Sequence, residues 1–244
     1  QGKTLSPPAS FEPGFQVGVG CELGLDGFDL YAEYTWVHMP WNTSSSSLSG
    51  FSTYIIPSPE TGTLQAPPLH NLTNSRTFQY NIIDLELGRD FFISKKLTLR
   101  PHVGGKLTRM FDKLHLQGND DTLDLFFSQT LSGIGIRAGV NSVWHLLQKV
   151  GLYGNIACTG LWSNFHDRIA SIKTTTQTVI PILELELGVN YITWLSQDRY
   201  QLYAKAGWEE QVWIGYNHMP VQGISTTSGN LSMQGLTLQI GWAF

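Results

Sequence analysis

Between Val179 and Tyr191 the chain alternates without a break. Val179, Pro181, Leu183, Leu185, Leu187, Val189 and Tyr191 share one face, while Glu184, Glu186, Gly188 and Asn190 share the other. Two glutamates opposite an unbroken apolar row do not fit the single stripe of a helix. They fit a strand with one lipid-facing side and one wet side. A tilted strand crosses the bilayer core in about ten residues, which is the length of this pattern.

The pattern recurs along the chain. Phe15, Val17, Val19, Cys21 and Leu23 alternate with Gln16, Gly18, Gly20 and Glu22; Phe28 to Val37 sets Leu30, Ala32, Tyr34 and Trp36 against Asp29, Glu33 and Thr35. Phe78 to Phe91 and Leu97 to Phe111 set Ile83, Leu85, Leu87, Leu99, Val103 and Leu107 against Asp84, Glu86, Arg100, His102 and Lys106. Leu123 to Val140 changes phase near Leu131, which predicts a β-bulge. Val150 to Trp162, Leu202 to Ile214 and Leu231 to Phe244 complete the set, with Glu210 breaking an otherwise apolar row.

Composition supports the membrane. Charged residues make up 14% of the 244, against roughly 25% in a soluble domain. Aromatic residues reach 12%, yet mean hydropathy is near zero. The sequence has no run of 18 apolar residues, the minimum for a spanning helix. A membrane barrel reconciles these facts, because its apolar and polar residues alternate and average out. The net charge of −4 offers no basic patch for nucleic acid. Cys21 and Cys158 lack metal-type spacing and are expected to be free, buried thiols.

Short connections (Leu25 to Gly27, Ile93 to Lys96, Asn141 to Lys149, Ile192 to Arg199) alternate with long polar ones: Met39 to Thr77, Asp112 to Thr122, Ser163 to Thr178 and Asn217 to Asn230. In outer-membrane barrels the short turns are periplasmic and the long loops external. This orientation sorts the aromatic residues into two girdles. Phe15, Trp36, Phe78, Tyr80, Phe111, Phe126, Phe127, Trp162 and Trp213 fall outside; Phe28, Phe91, Phe92, Trp144, Tyr191, Trp194, Tyr200, Trp242 and Phe244 fall on the periplasmic side. The expected fold is all-β: one transmembrane antiparallel up-and-down β-barrel over residues 1–244, with nine strands visible. Barrels usually carry an even count. A tenth strand, running outward before Phe15, and a signal peptide before Gln1 are therefore expected to be missing from this chain.

The stretch from Phe11 to Gly20 (FEPGFQVGVG), followed by Asp29 to His38 (DLYAEYTWVH), resembles the Legionella major outer membrane protein-like family, also found in environmental chlamydiae. That resemblance runs loosely from Phe11 to Phe244 and implies a pore-forming outer-membrane barrel preceded by an aromatic-rich strand. The row Leu236, Leu238, Ile240, Trp242 and Phe244 is similar to the signal read by the barrel-assembly machinery. With two cysteines the chain departs from the cysteine-rich chlamydial porin, so a disulfide-linked network is not implied.

The candidate pore-lining residues are Glu22, Asp29, Glu33, Asp84, Glu86, Glu184, Glu186 and Glu209, with Arg100, Lys106, Arg137 and Lys205. They form either a cation-favouring constriction or interlocked salt bridges that fill a narrow barrel. Eight strands leave room for little beyond side chains, and aqueous channels belong to about sixteen. The carboxylate pairs Asp84/Glu86 and Glu184/Glu186 suit acid–base chemistry or a cation such as calcium, or else a plain polar wall. Scattered histidines (His38, His115, His166 and His218 near loops, His102 in the lumen) form no catalytic or metal motif. No cofactor or metal is implied. The Asn42, Asn71 and Asn230 sequons are chance matches in Ser/Thr-rich loops.

The preferred function is passive transport of ions and small solutes through a porin-like channel, in contact with outer-membrane lipid and not an enzyme. The alternative is a non-conducting structural or adhesive barrel whose 39–77 loop meets host or envelope proteins; an outer-membrane hydrolase comes third. A soluble lipocalin-like barrel is the competing fold.

Overall fold

The computed structural model describes residues 11–24, 26–46, 71–118, 124–169, 172–195, 200–217 and 229–243. The strands are β1 (Gly14–Glu22), β2 (Phe28–Ser46), β3 (Asn71–Arg89), β4 (Phe91–Ser94), β5 (Leu97–Gly118), β6 (Asp124–His145), β7 (Val150–Ile169), β8 (Ile172–Leu195), β9 (Tyr200–Asn217) and β10 (Gly229–Ala243). All pairing is antiparallel between neighbours in the chain, and β4 prolongs β3 along β5. Gly88↔His102 and Phe91↔Leu99 keep one register. The interruption falls opposite Pro101, which has no amide hydrogen to donate. Nine strands therefore span, as the alternation predicts.

The sheet curls until distant strands touch: Tyr80 on β3 donates its hydroxyl to Gln211 on β9 at 2.6 Å. Outward rows stay exposed along the strands, with Leu238 at 74% and Ile240 at 77%. An apolar belt of this kind is stable only against lipid. The first turn closes tightly, with Gly24, Asp26 and Gly27 at positive φ and Leu23 N–H donating to the Phe28 carbonyl at 2.9 Å. Glycine tolerates that backbone at little cost.

The interior has two halves. Toward the long-loop end it holds an apolar cluster of Phe78, Tyr80, Ile82, Met110, Leu131, Leu161, Phe165, Ile180, Ile182, Trp213 and Tyr216. Toward the turn end it is charged. This division corrects several expectations. Phe78, Tyr80 and Trp213 point inward, buried to 3%, 3% and 0% exposure, and belong to no girdle. No bulge occurs at Leu131, since Phe111↔Thr130, Met110↔Leu131 and Arg109↔Ser132 run in one register. The phase change marks the point where apolar side chains switch from the inner to the outer face. Phe15, Phe126 and Trp162 do lie exposed toward the loop end, and Phe91, Phe92, Trp144, Tyr191, Trp194, Tyr200 and Trp242 toward the turn end.

Several expected loops are ladder instead. β2 and β3 stay paired from Met39↔Phe78 to Ser46↔Asn71, and β7 and β8 to Ile169↔Ile172. Backbone pairing does not require apolar side chains once a hairpin leaves the membrane. Residues 47–70, 218–228 and Phe244 lie outside the described residues. Both cysteines are free, as expected, but exposed on the outer face rather than buried.

Candidate functional site

Every pore-lining candidate shares the inner face, because each alternates with an outward apolar row on its own strand. Seven of them interlock. Lys106 Nζ lies 2.9 Å from Asp84 Oδ2 and 2.7 Å from Glu184 Oε1. Arg137 reaches Glu184 (Nη2 to Oε2, 2.7 Å) and Glu86. Arg100 holds Glu86 (Nη1 to Oε2, 3.0 Å) and Asp29 through Nε (2.9 Å) and Nη2. His102 Nε2 stands 3.1 Å from Arg137 Nη1.

These struts cross whole strands, and small residues make room for them. Gly104 lies between Glu86 and Arg137 in the ladders. A Cβ there would strike the Leu85 and Glu86 backbone. Arg100 extends over Gly88 to reach Asp29 on β2, and a Cβ on Gly88 would fall on the guanidinium. Burying seven charges costs several kcal/mol each unless they are paired. Here each has at least one partner, so the network is physically self-consistent.

The remaining candidates line a cavity of about 840 Å³ that runs from mid-barrel to the turn end. Glu33 accepts the Tyr31 hydroxyl at 2.8 Å, and Glu186 accepts Tyr153 at 2.7 Å and Asn155 at 2.8 Å. Glu209 accepts Gln211 Nε2 at 2.6 Å. Lys205 lies over the rings of Tyr153 (5.5 Å) and Tyr203 (5.4 Å). Glu22 lines the turn-end mouth. Among the described residues, Glu22, Glu33, Glu186, Glu209 and Lys205 make no ion pair within 4.0 Å. Carboxylates therefore dominate the free charge of the cavity.

The charge pattern alone does not reveal Tyr31, Tyr153, Tyr203 and Gln211. Period-two parity would find three of them, Tyr31 from Asp29 and Glu33, Tyr203 from Lys205 and Gln211 from Glu209, whereas Tyr153 lies on β7, which carries no candidate. At the loop end, Arg76 pairs with Asp112 and stacks over Trp41 at 5.1 Å, capping the apolar cluster. The arrangement supplies an interlocked belt of four carboxylates and three cations at mid-barrel, an acidic vestibule below it and an apolar stopper above it.

The family model described as Legionella pneumophila major outer membrane protein precursor matches residues 4–244. No curated protein matches the chain. The chain belongs to the Legionella major outer membrane protein family, and the all-β sheet with its outward apolar belt is that of an integral outer-membrane β-barrel.

Proposed function

We propose that this member of the Legionella major outer membrane protein family keeps its lumen shut and serves the envelope as a non-conducting barrel that presents its loop-end hairpins outward. The observation that carries this reading is the apolar cluster across the loop half of the interior, where Met110, Leu131, Leu161, Phe165, Ile182 and Trp213 are all at 0% exposure. Water and ions do not traverse a close-packed apolar plug. Below it, the struts from Lys106, Arg137 and Arg100 fill the middle of the lumen. On this reading the hairpins around residues 39–77 contact host or envelope proteins. The outward row Leu236, Leu238, Ile240 and Trp242 on β10 serves the barrel-assembly machinery.

Porin-like passage of ions and small solutes is the second reading, favoured by the polar cavity of about 840 Å³ and its unpaired carboxylates. It requires the loop-half cluster to move aside. Single-channel recording in planar bilayers separates the two. The closed reading expects no steady current from the folded protein. Steady, salt-dependent conductance whose cation preference falls in Glu186→Gln and Glu209→Gln would overturn it and establish the channel.

A further inference from the structure

We infer that the outer face of β5 to β8 at the loop end docks a phosphorylated glycolipid of the outer leaflet, with its phosphates on Arg109, Lys113 and Lys173 and its acyl chains beside Ile134 and Ile136. The ladders set the outward side chains of these strands in transverse rows. Leu107, Ile134, Trp162 and Val179 stand side by side as the last apolar row. The next row toward the loops is Arg109, Ser132, Asn164 and Gln177. Two rows further on, Lys113, Ser128, Arg168 and Lys173 lie level with one another.

Charge on this face is one-sided. Arg109, Lys113, Arg168 and Lys173 are all exposed. Within the stretches 107–113, 128–134, 162–168 and 173–179 the carboxylates are Asp112 and Asp167, and both are buried on the inner face. At about 3.4 Å per residue and 4.8 Å between strands, the cations bracket an area roughly 14 Å on each side. That spread suits a headgroup with more than one phosphate, held by charge-assisted hydrogen bonds. The Arg109 guanidinium lies over the Phe111 ring at 5.1 Å, turned toward the loops and away from the apolar row. Long basic side chains reach out of hydrocarbon in this way.

The apolar rows below select the occupant. A free anion would meet only the cations, whereas an amphiphile meets both surfaces. Ile136 stands exposed between Gly105 and Gly160, in the row beneath Ile134. A Cβ on Gly160 would meet nothing within 4 Å, and one on Gly105 only the Gly135 carbonyl at 3.7 Å. Packing inside the chain therefore requires neither glycine, and glycine weakens a strand interior. The two leave shallow grooves on either side of the Ile134–Ile136 ridge. Each is about one strand spacing wide, which suits a single hydrocarbon chain. This inference holds whether or not the barrel conducts.

The full chain, folded in zwitterionic detergent, is titrated by native mass spectrometry with three probes: bisphosphorylated lipid A, the same lipid stripped of phosphate, and inorganic pyrophosphate. Lipid A should stay bound and the other two should bind far more weakly. Lys113→Gln with Lys173→Gln should weaken lipid A by about tenfold or more. Lys95→Gln with Lys96→Gln, exposed at the turn end, should leave its affinity unchanged. Gly160→Leu, which fills one groove, should weaken lipid A as well. Heat-modifiable migration shows that each variant is folded. Equal binding of the dephosphorylated lipid, or full affinity in the Lys113/Lys173 variant, would overturn the inference. Pyrophosphate bound as tightly as lipid A would mark a free-phosphate site and overturn the lipid assignment, as would a Gly160→Leu variant of full affinity.

Discussion

Lys106 on β5 and Glu184 on β8, three strands apart, meet at 2.7 Å inside the barrel. The lysine side chain is 1% exposed and also holds Asp84 at 2.9 Å. Removing one partner of such a group leaves buried charge uncompensated, at about 3–5 kcal/mol. Lys106→Ala should therefore lose that much in equilibrium unfolding from lipid vesicles. Adding Glu184→Gln to Lys106→Ala should cost less than its effect alone, because it relieves the repulsion left between Asp84 and Glu184. Additive losses would show that the strut carries no coupling.

The apolar stopper makes a separate prediction. Phe165 and Met110 are fully buried in the loop half, and truncating such side chains opens cavities costing about 2–5 kcal/mol. Phe165→Ala and Met110→Ala should unfold at correspondingly lower denaturant. Leu238→Ala, on the exposed row, should change stability far less. Equal losses at all three positions would mean that no packed core exists.

The strands, their order and the wet faces were legible because one rule generates them: polar residues at period two opposite an apolar row, as at Glu184 and Glu186. The same rule misplaced the aromatic residues of the loop half. Phe78, Tyr80 and Trp213 sit near the outer ends of the alternating stretches in the sequence, where lipid headgroups select aromatic rings, and nothing local separates a girdle ring from a plug ring. Parity does separate them. Tyr80 shares the phase of Asp84 and Glu86, and Trp213 that of Glu209. Long-range pairs such as Arg137 with Glu86 were not legible, since their partners are set by curvature and by the room over Gly104, which no single strand encodes.

Tryptophan fluorescence checks this inside–outside division. In single-tryptophan variants reconstituted with brominated lipid, Trp162, 62% exposed on the outer face, should be strongly quenched. Trp213, packed edge-on against Tyr80 at 6.2 Å and Tyr216 at 6.4 Å, should be shielded. Comparable quenching of both would return Trp213 to the girdle.

Glu210 faces outward, paired between Leu185 and Gln234. A carboxylate on the lipid face is unfavourable, though less so than a basic residue. Glu210→Leu should raise stability in vesicles by about 1 kcal/mol, with no gain in detergent-free water-soluble fragments of the loops. A loss instead would mean that this face is covered by protein.

The reach of Arg100 over Gly88 yields the sharpest test of the charge network. Arg100 leaves β5, passes above Gly88 on β3 and grips Asp29 on β2 through Nε at 2.9 Å. A Cβ on Gly88 would occupy the space of the guanidinium. Gly88→Ala must therefore push Arg100 aside, at the roughly 1–3 kcal/mol typical of overpacking. If the loss comes from dislodging Arg100, it should shrink when Asp29→Asn has already weakened the grip. A double-mutant cycle measured by denaturant unfolding reads this coupling directly. A Gly88→Ala cost that is the same in both backgrounds would place the strain in the backbone of β3 rather than in the strut.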